Sequence, residues 1–180
     1  MKHDMKIVVT GSSGYVASAL VPLLRDKFDV VGIDLVASEF TDIVGDIAES
    51  GSWESLRDCE RIVVVNLAAA RFDYGISASD YYVANVVAAE SMVACLRGLD
   101  IYKIVHVSSV AAIDGEAIEF DSSLHYDDAY RCTKYLQEKV IVGFCLDEGV
   151  SNISLLPSAV FDDSARLDTN IGKLQTLVKF

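Results

Sequence analysis

Residues 6–17 read KIVVTGSSGYVA (Lys6–Ala17), and this stretch decides the fold. Lys6–Thr10 is a short β-branched run that stops at Gly11. From Ser13 to Lys27 the apolar positions Val16, Leu20, Leu23 and Leu24 recur at helical spacing. A strand, a tight glycine turn and a helix N-terminus in succession build an anion site. Gly11 permits the turn, Gly14 lets the backbone approach a pyrophosphate, and the small Ala17 lets helix and strand pack closely. Pro22 falls inside that helix, where its missing N–H removes one hydrogen bond to Ser18, and a bend is expected there.

The same alternation continues outward. Val30–Leu35, Arg61–Leu67, Lys103–Ser108 and Asn152–Leu156 read as further strands, with helical stretches at Ser79–Arg97 and Asp128–Asp147. Strands apolar on both faces, each followed by a helix, predict an α/β fold, a doubly wound parallel sheet with helices on both sides (a Rossmann fold). Residues 1–180 then form a single dinucleotide-binding domain. Gly115–Asp127 is the one long irregular segment before the last helix, and such segments are often functional. Thr169–Phe180 carries Ile171, Leu174, Leu177 and Val178 at helical spacing, with no later element to pack under.

Charge narrows the function classes. Among 180 residues, 15 Lys and Arg stand against 27 Asp and Glu, a formal net charge of −12, so a phosphate backbone would be repelled and nucleic acid is not an expected partner. No apolar run approaches the ~20 residues that span a bilayer, and the first residues do not form a signal peptide, so no membrane partner is expected and the cytoplasm is the expected location. Cys59, Cys95, Cys132 and Cys145 form no C-x-x-C pattern, and His3, His106 and His125 no metal-ligand spacing. Buried, reduced thiols and no metal are expected.

Two constellations carry chemistry. Asp34 ends the second strand 23 residues after Gly11, where an acidic side chain can hold a ribose 2′-hydroxyl and exclude a 2′-phosphate; NAD rather than NADP is the expected cofactor. Further along, Tyr130 and Lys134 lie at i and i+4 on one helix face, and an ammonium a turn from a phenol lowers the phenol's pKa from about 10, making it a usable acid/base. Tyr135 and Lys139 satisfy the same spacing five residues on, turned well away from the first pair, so only one pair can face a cofactor.

With these residues in order, the chain resembles the extended short-chain dehydrogenase/reductase family, in its NAD-dependent epimerase/dehydratase branch. TGSSGYVA resembles the family's phosphate loop, which implies cofactor contacts from Gly11, Ser13, Gly14, Tyr15 and Val16. Asp34 matches the ribose-binding acid, and Asp46 and Ile47 resemble the pair at the adenine ring. Leu67, Ala68 and Ala69 resemble the segment after the third strand, with Asn66 where His is usual; Arg71 matches a position often basic or in contact with cofactor. Asn85 matches a structural Asn on the long helix. HVSSVAA resembles the strand bearing the catalytic Ser or Thr. Both Ser108 and Ser109 are available, and likeness to SSVAA members favours Ser109. YRCTKYLQE resembles Y-x-x-S-K-x-x-x-E, and Thr133 and Glu138 select Tyr130/Lys134 over Tyr135/Lys139. Pro157 and Ser158 resemble the segment beside the nicotinamide, with Leu156 where Arg is common.

The resemblance implies that Ser109, Tyr130 and Lys134 are catalytic and that the substrate is a small molecule with a secondary hydroxyl, most simply a nucleotide sugar. A dehydratase would need an acidic pair after the serine; Val110 and Ala111 stand there, so epimerisation is favoured. The alternatives are a hydroxyl dehydrogenase of a non-sugar molecule and a non-catalytic NAD-binding sensor or scaffold. Family members run on into a substrate-binding part that these 180 residues lack. The helical stretches Ser79–Arg97 and Asp128–Asp147 carry apolar residues on more than one face, including Tyr82, Val86, Val93, Val140 and Phe144. One face must cover the sheet, and in similar proteins the two helices pair across a two-fold axis into a homodimer.

Overall fold

A computed structural model describes residues 5–71 and 75–158. The helical pattern over Thr169–Phe180 lies outside them. Six parallel strands form one sheet in the order β3-β2-β1-β4-β5-β6: β1 (Lys6–Thr10), β2 (Asp29–Asp34), β3 (Ile43–Val44), β4 (Ile62–Asn66), β5 (Ile101–Val107) and β6 (Ser151–Leu155). This is the doubly wound, Rossmann-like arrangement. The chain leaves β1 in one direction towards β2 and re-enters on its other side as β4, so a crevice opens beyond the carboxyl ends of β1 and β4.

Helix α1 (Tyr15–Arg25) covers one face of the sheet, where Ala17 and Val21 pack on Ile7, Val9, Val63 and Val65. Alternate residues of the same strands, Val8, Val64 and Ile104, face the other way onto Met92, Leu96, Ile141 and Phe144 of α3 (Ala88–Leu96) and α5 (Tyr126–Glu148). Burial on both faces explains the near-continuous apolar reading of these strands. Helix α1 runs through Pro22, and the carbonyl of Pro22 still accepts from the Asp26 N–H at 3.3 Å. Helix α5 ends at Gly149, whose φ of 69° is the left-handed cap that lets the Val150 N–H bond back to the Cys145 carbonyl at 2.8 Å.

Besides the two-residue strand β3, three features escape the periodicity. A 3₁₀ turn over Ser50–Leu56 buries Trp53, whose indole N–H donates to the Ile47 carbonyl at 2.9 Å. Helix α4 (Ala111–Gly115) runs into the segment expected to be irregular. The long helix expected over Ser79–Arg97 is interrupted: α2 (Ala78–Tyr81) passes into a π-helical stretch at Tyr82–Val87 before α3 resumes. Of the apolar residues expected on more than one helix face, Val86, Val93 and Phe144 are buried in the chain's own core, and the Tyr82 ring lies tilted against Phe120 with centroids 4.4 Å apart. Val83 and Val87 are the exposed apolar residues of that helix. All four cysteines are free thiols; Cys132 and Cys145 are buried, whereas Cys59 and Cys95 are half-buried.

Candidate functional site

Gly11 adopts a φ of 71°, and a Cβ there would stand 2.9 Å from the Ala68 backbone nitrogen. Only glycine turns the chain out of β1 this close to the loop after β4. Gly14 follows as the N-cap of α1 in extended conformation, where a Cβ would press on the Gly11 carbonyl oxygen at 3.0 Å. No side chain caps this helix, and its first turn holds no acidic residue, so the positive end of its dipole favours an anion there.

The crevice beside this turn is a cavity of ≈ 540 Å³. Of the residues singled out from sequence, Gly11, Ser13, Gly14, Asp34, Asp46, Ile47, Leu67, Ala68 and Ala69 line it, together with Leu35, Gly45, Ala70, Val83, Ala84 and Ala88. Among the described residues that line it, none is basic. The Asp34 carboxylate is held in place by two backbone donors, Ser13 N–H and Val36 N–H, each at 2.9 Å, which fixes β2's end against the glycine turn. The Asp46 carboxylate accepts from Ala48 N–H at 2.9 Å.

The remaining candidates stand outside that cavity. Tyr15 is exposed and Val16 half-buried on α1. Arg71 accepts the Tyr81 hydroxyl through its carbonyl at 3.1 Å. Asn85 is fully buried within the π-helical stretch; its Oδ1 accepts from Ala70 N–H at 2.7 Å and its Nδ2 donates to Thr133 Oγ1 at 3.1 Å, fastening the cavity wall to α5. Pro157 accepts Val110 N–H at 3.2 Å, and Ser158 is exposed.

Helix α5 carries two Tyr/Lys pairs in different surroundings. Tyr130 packs edge-on against the buried Tyr81, with ring centroids 5.8 Å apart. Lys134 is 3% exposed and donates to Gln137 Oε1 at 2.6 Å and the Val107 carbonyl at 3.3 Å. Burial pushes the Lys134 pKa down to about 8 against an opposing pull from Glu138. Tyr135, by contrast, donates to Glu116 at 3.1 Å, and Lys139 lies over its ring at 5.3 Å on the outer side. The two serines differ as well. Ser108 is buried and donates to Glu138 at 2.7 Å, whereas Ser109 is half-buried and its Oγ accepts from Ala111 N–H at 3.2 Å.

A buried polar row crosses the sheet beneath α5. Thr10 donates to Asn66 Oδ1 at 2.6 Å, and Asn66 Nδ2 meets His106 Nδ1 at 3.1 Å. With Oδ1 engaged by Thr10, the Asn66 amide points its N–H at Nδ1, so the imidazole is neutral and carries its proton on Nε2. Burial, and secondarily the charge of Lys134, holds the His106 pKa down at about 3. The Asn66 found in place of His is thus a strand-to-strand link.

The family model for the NAD dependent epimerase/dehydratase family matches residues 7–174. The chain belongs to this family. No curated protein matches it. Solved structures share its fold: the UDP-glucuronic acid 4-epimerase from Bacillus cereus in complex with NAD is 22% identical with a TM-score of 0.72, covering 94% of this chain and 61% of that one. A UDP-N-acetylglucosamine 4-epimerase from Methanobrevibacter ruminantium M1 is 23% identical (TM-score 0.71), covering 94% of this chain and 59% of that one. A UDP-galactose 4-epimerase is 22% identical (TM-score 0.69), covering 84% and 55%. The chain thus spans less than two thirds of the length of these relatives.

Proposed function

We propose that this chain is the NAD-binding part of an oxidoreductase acting on a secondary hydroxyl of a nucleotide sugar, with epimerisation as the net reaction. The observation that carries the reading is the meeting, in one cavity, of the uncapped N-terminus of α1 and the Asp34 carboxylate, with no basic residue among the described lining. The helix end suits a pyrophosphate, and Asp34 suits a free 2′-hydroxyl. Asp46 and Ile47 flank the adenine end, and Leu67, Ala68 and Ala69 wall the cofactor's middle.

NAD, when bound, supplies the acceptor and donor of hydride. Tyr130 takes the proton of the substrate hydroxyl at its phenolic oxygen and returns it later. Ser109 holds the substrate oxygen; Ser108 is already committed to Glu138. An ammonium has three N–H donors, and Lys134 uses two on Gln137 and Val107, which leaves the third for the nicotinamide ribose. Pro157 and Ser158 border the nicotinamide. The enzyme works as a homodimer through the outward helix face that exposes Val87, whereas Val83 faces the cavity.

The substrate walls come from chain beyond these residues in longer relatives, so the reading includes cofactor binding without turnover by the 180 residues alone. The test is a screen of UDP-sugars with NAD on the longest expressible form, read by epimer ratio. Conversion of a UDP-hexose that Tyr130→Phe abolishes supports the proposal. Turnover of simple alcohols alone, with every nucleotide sugar inert, overturns the substrate class.

A further inference from the structure

Gln137 stands one turn beyond Lys134 on α5 and is buried (1% exposed), although nothing in its spacing marks it for a role. Its amide faces two groups of opposite demand. Lys134 Nζ, which has only donors, gives a hydrogen bond to Oε1 at 2.6 Å. On the other side Nε2 donates to the Ala68 carbonyl at 3.0 Å, and Ala68 lines the cavity. A neutral amide accepts from an ammonium and donates to a carbonyl at once, with no proton to gain or lose. A carboxylate would turn an anion on the Ala68 oxygen; an apolar side chain would leave a buried ammonium proton and a carbonyl unpaired.

We propose that Gln137 is the positioning residue of this site: it aims the Lys134 ammonium and ties it to the Ala68 wall of the cofactor cavity. The proposal rests on the NAD-binding reading above and deepens it. Ala68 is held from two directions, its N–H by Thr10 Oγ1 at 3.3 Å and its carbonyl by Gln137. A neutral partner also leaves Lys134 with little compensating charge. The groups around it are Glu138, whose carboxylate accepts from Ser108; Tyr130 one turn back; and, on β5, the neutral His106 and the Val107 carbonyl. Asn85, on the neighbouring helix, pairs with Thr133 of α5 and adds no charge.

The test uses the full 180-residue chain with ¹³Cε-labelled lysine, the Lys134 signal being assigned by its loss in Lys134→Met. Wild type should titrate near 8, the depressed value burial gives it. Gln137→Glu, which keeps the shape, should move that titration up by more than about one pH unit, because a carboxylate then faces the ammonium. Gln137→Leu should weaken NAD binding by about tenfold, measured by calorimetry. A Gln137→Glu titration unchanged from wild type, or a folded Gln137→Leu that binds NAD as wild type does, overturns the proposal. Should Gln137→Leu fail to fold, the Gln137→Glu titration decides alone. Wild type that binds no NAD overturns the cofactor reading instead, while the titration in the free protein still judges the Gln137–Lys134 contact.

Discussion

Replacing Lys134 by Met should make the folded chain more stable at neutral pH and less stable in alkali. Lys134 is 3% exposed, and its pKa falls from the ordinary 10.5 to about 8, mainly because burial penalises the charged form. A tenfold change in a proton-binding constant is worth about 1.36 kcal/mol, so below pH 8 the buried ammonium costs about 3 kcal/mol relative to the unfolded chain. Between pH 8 and 10.5 the unfolded lysine still binds its proton while the folded one has released it, so wild-type stability rises with pH through that window. Met carries no such charge, but it leaves Gln137 Oε1 and the Val107 carbonyl without their donor, at about 1 kcal/mol each. Lys134→Met should therefore gain about 1 kcal/mol over wild type at pH 7 and lose that lead by pH 10, a swing of about 2–3 kcal/mol. Urea unfolding of both proteins at several pH values measures it, and groups common to both cancel in the difference. Stability curves that stay parallel across pH 7–10 would refute the claim that this ammonium is buried at a cost.

Other outcomes follow from the same geometry. Tyr130→Phe should abolish turnover in the longest active form while leaving NAD affinity nearly intact, and Tyr135→Phe, which loses only an exposed bond to Glu116, should do little; equal losses would contradict the register. Ser108→Ala should destabilise the chain by about 1–2 kcal/mol by leaving the Glu138 carboxylate short of its donor, whereas Ser109→Ala should spare stability and reduce turnover; unfolding curves and rates separate the two. Light scattering at tens of micromolar should show a dimer that Val87→Asp shifts towards monomer, and a wild type that stays monomeric counts against the helix-paired assembly.

The parts of this molecule that repeat a period are legible in its sequence. β1 is legible at its full extent, and the other long strands to within two residues at each end. Burial on both faces makes β1 and β4 nearly unbroken apolar runs, whereas β6, SNISL, lies at the sheet edge and is partly exposed. Ile43–Val44 is too short to show a period, Ser50–Leu56 is 3₁₀ and so off the 3.6 period, and Ala111–Gly115 is little more than one turn. The π-helical stretch at Tyr82–Val87 departs from the 3.6 period and so has no signature in an i, i+3, i+4 count. The glycine turn and Asp34 are legible because their backbone jobs restrict residue type. Gln137, Asn66 and His106 are not, since what they do depends on partners 69, 56 and 40 residues away in the chain.

The most direct test of the central claim is a calorimetric titration of the chain with NAD and with NADP, repeated on Asp34→Ala. A 2′-phosphate beside the Asp34 carboxylate brings like charges within a few ångströms, which costs on the order of one to several kcal/mol, and about 1.4 kcal/mol is tenfold in affinity. Wild type should bind NAD at least tenfold more tightly than NADP, and Asp34→Ala should weaken NAD and narrow that gap. A wild type that binds neither dinucleotide, or binds both equally and is unchanged by the substitution, would contradict the account.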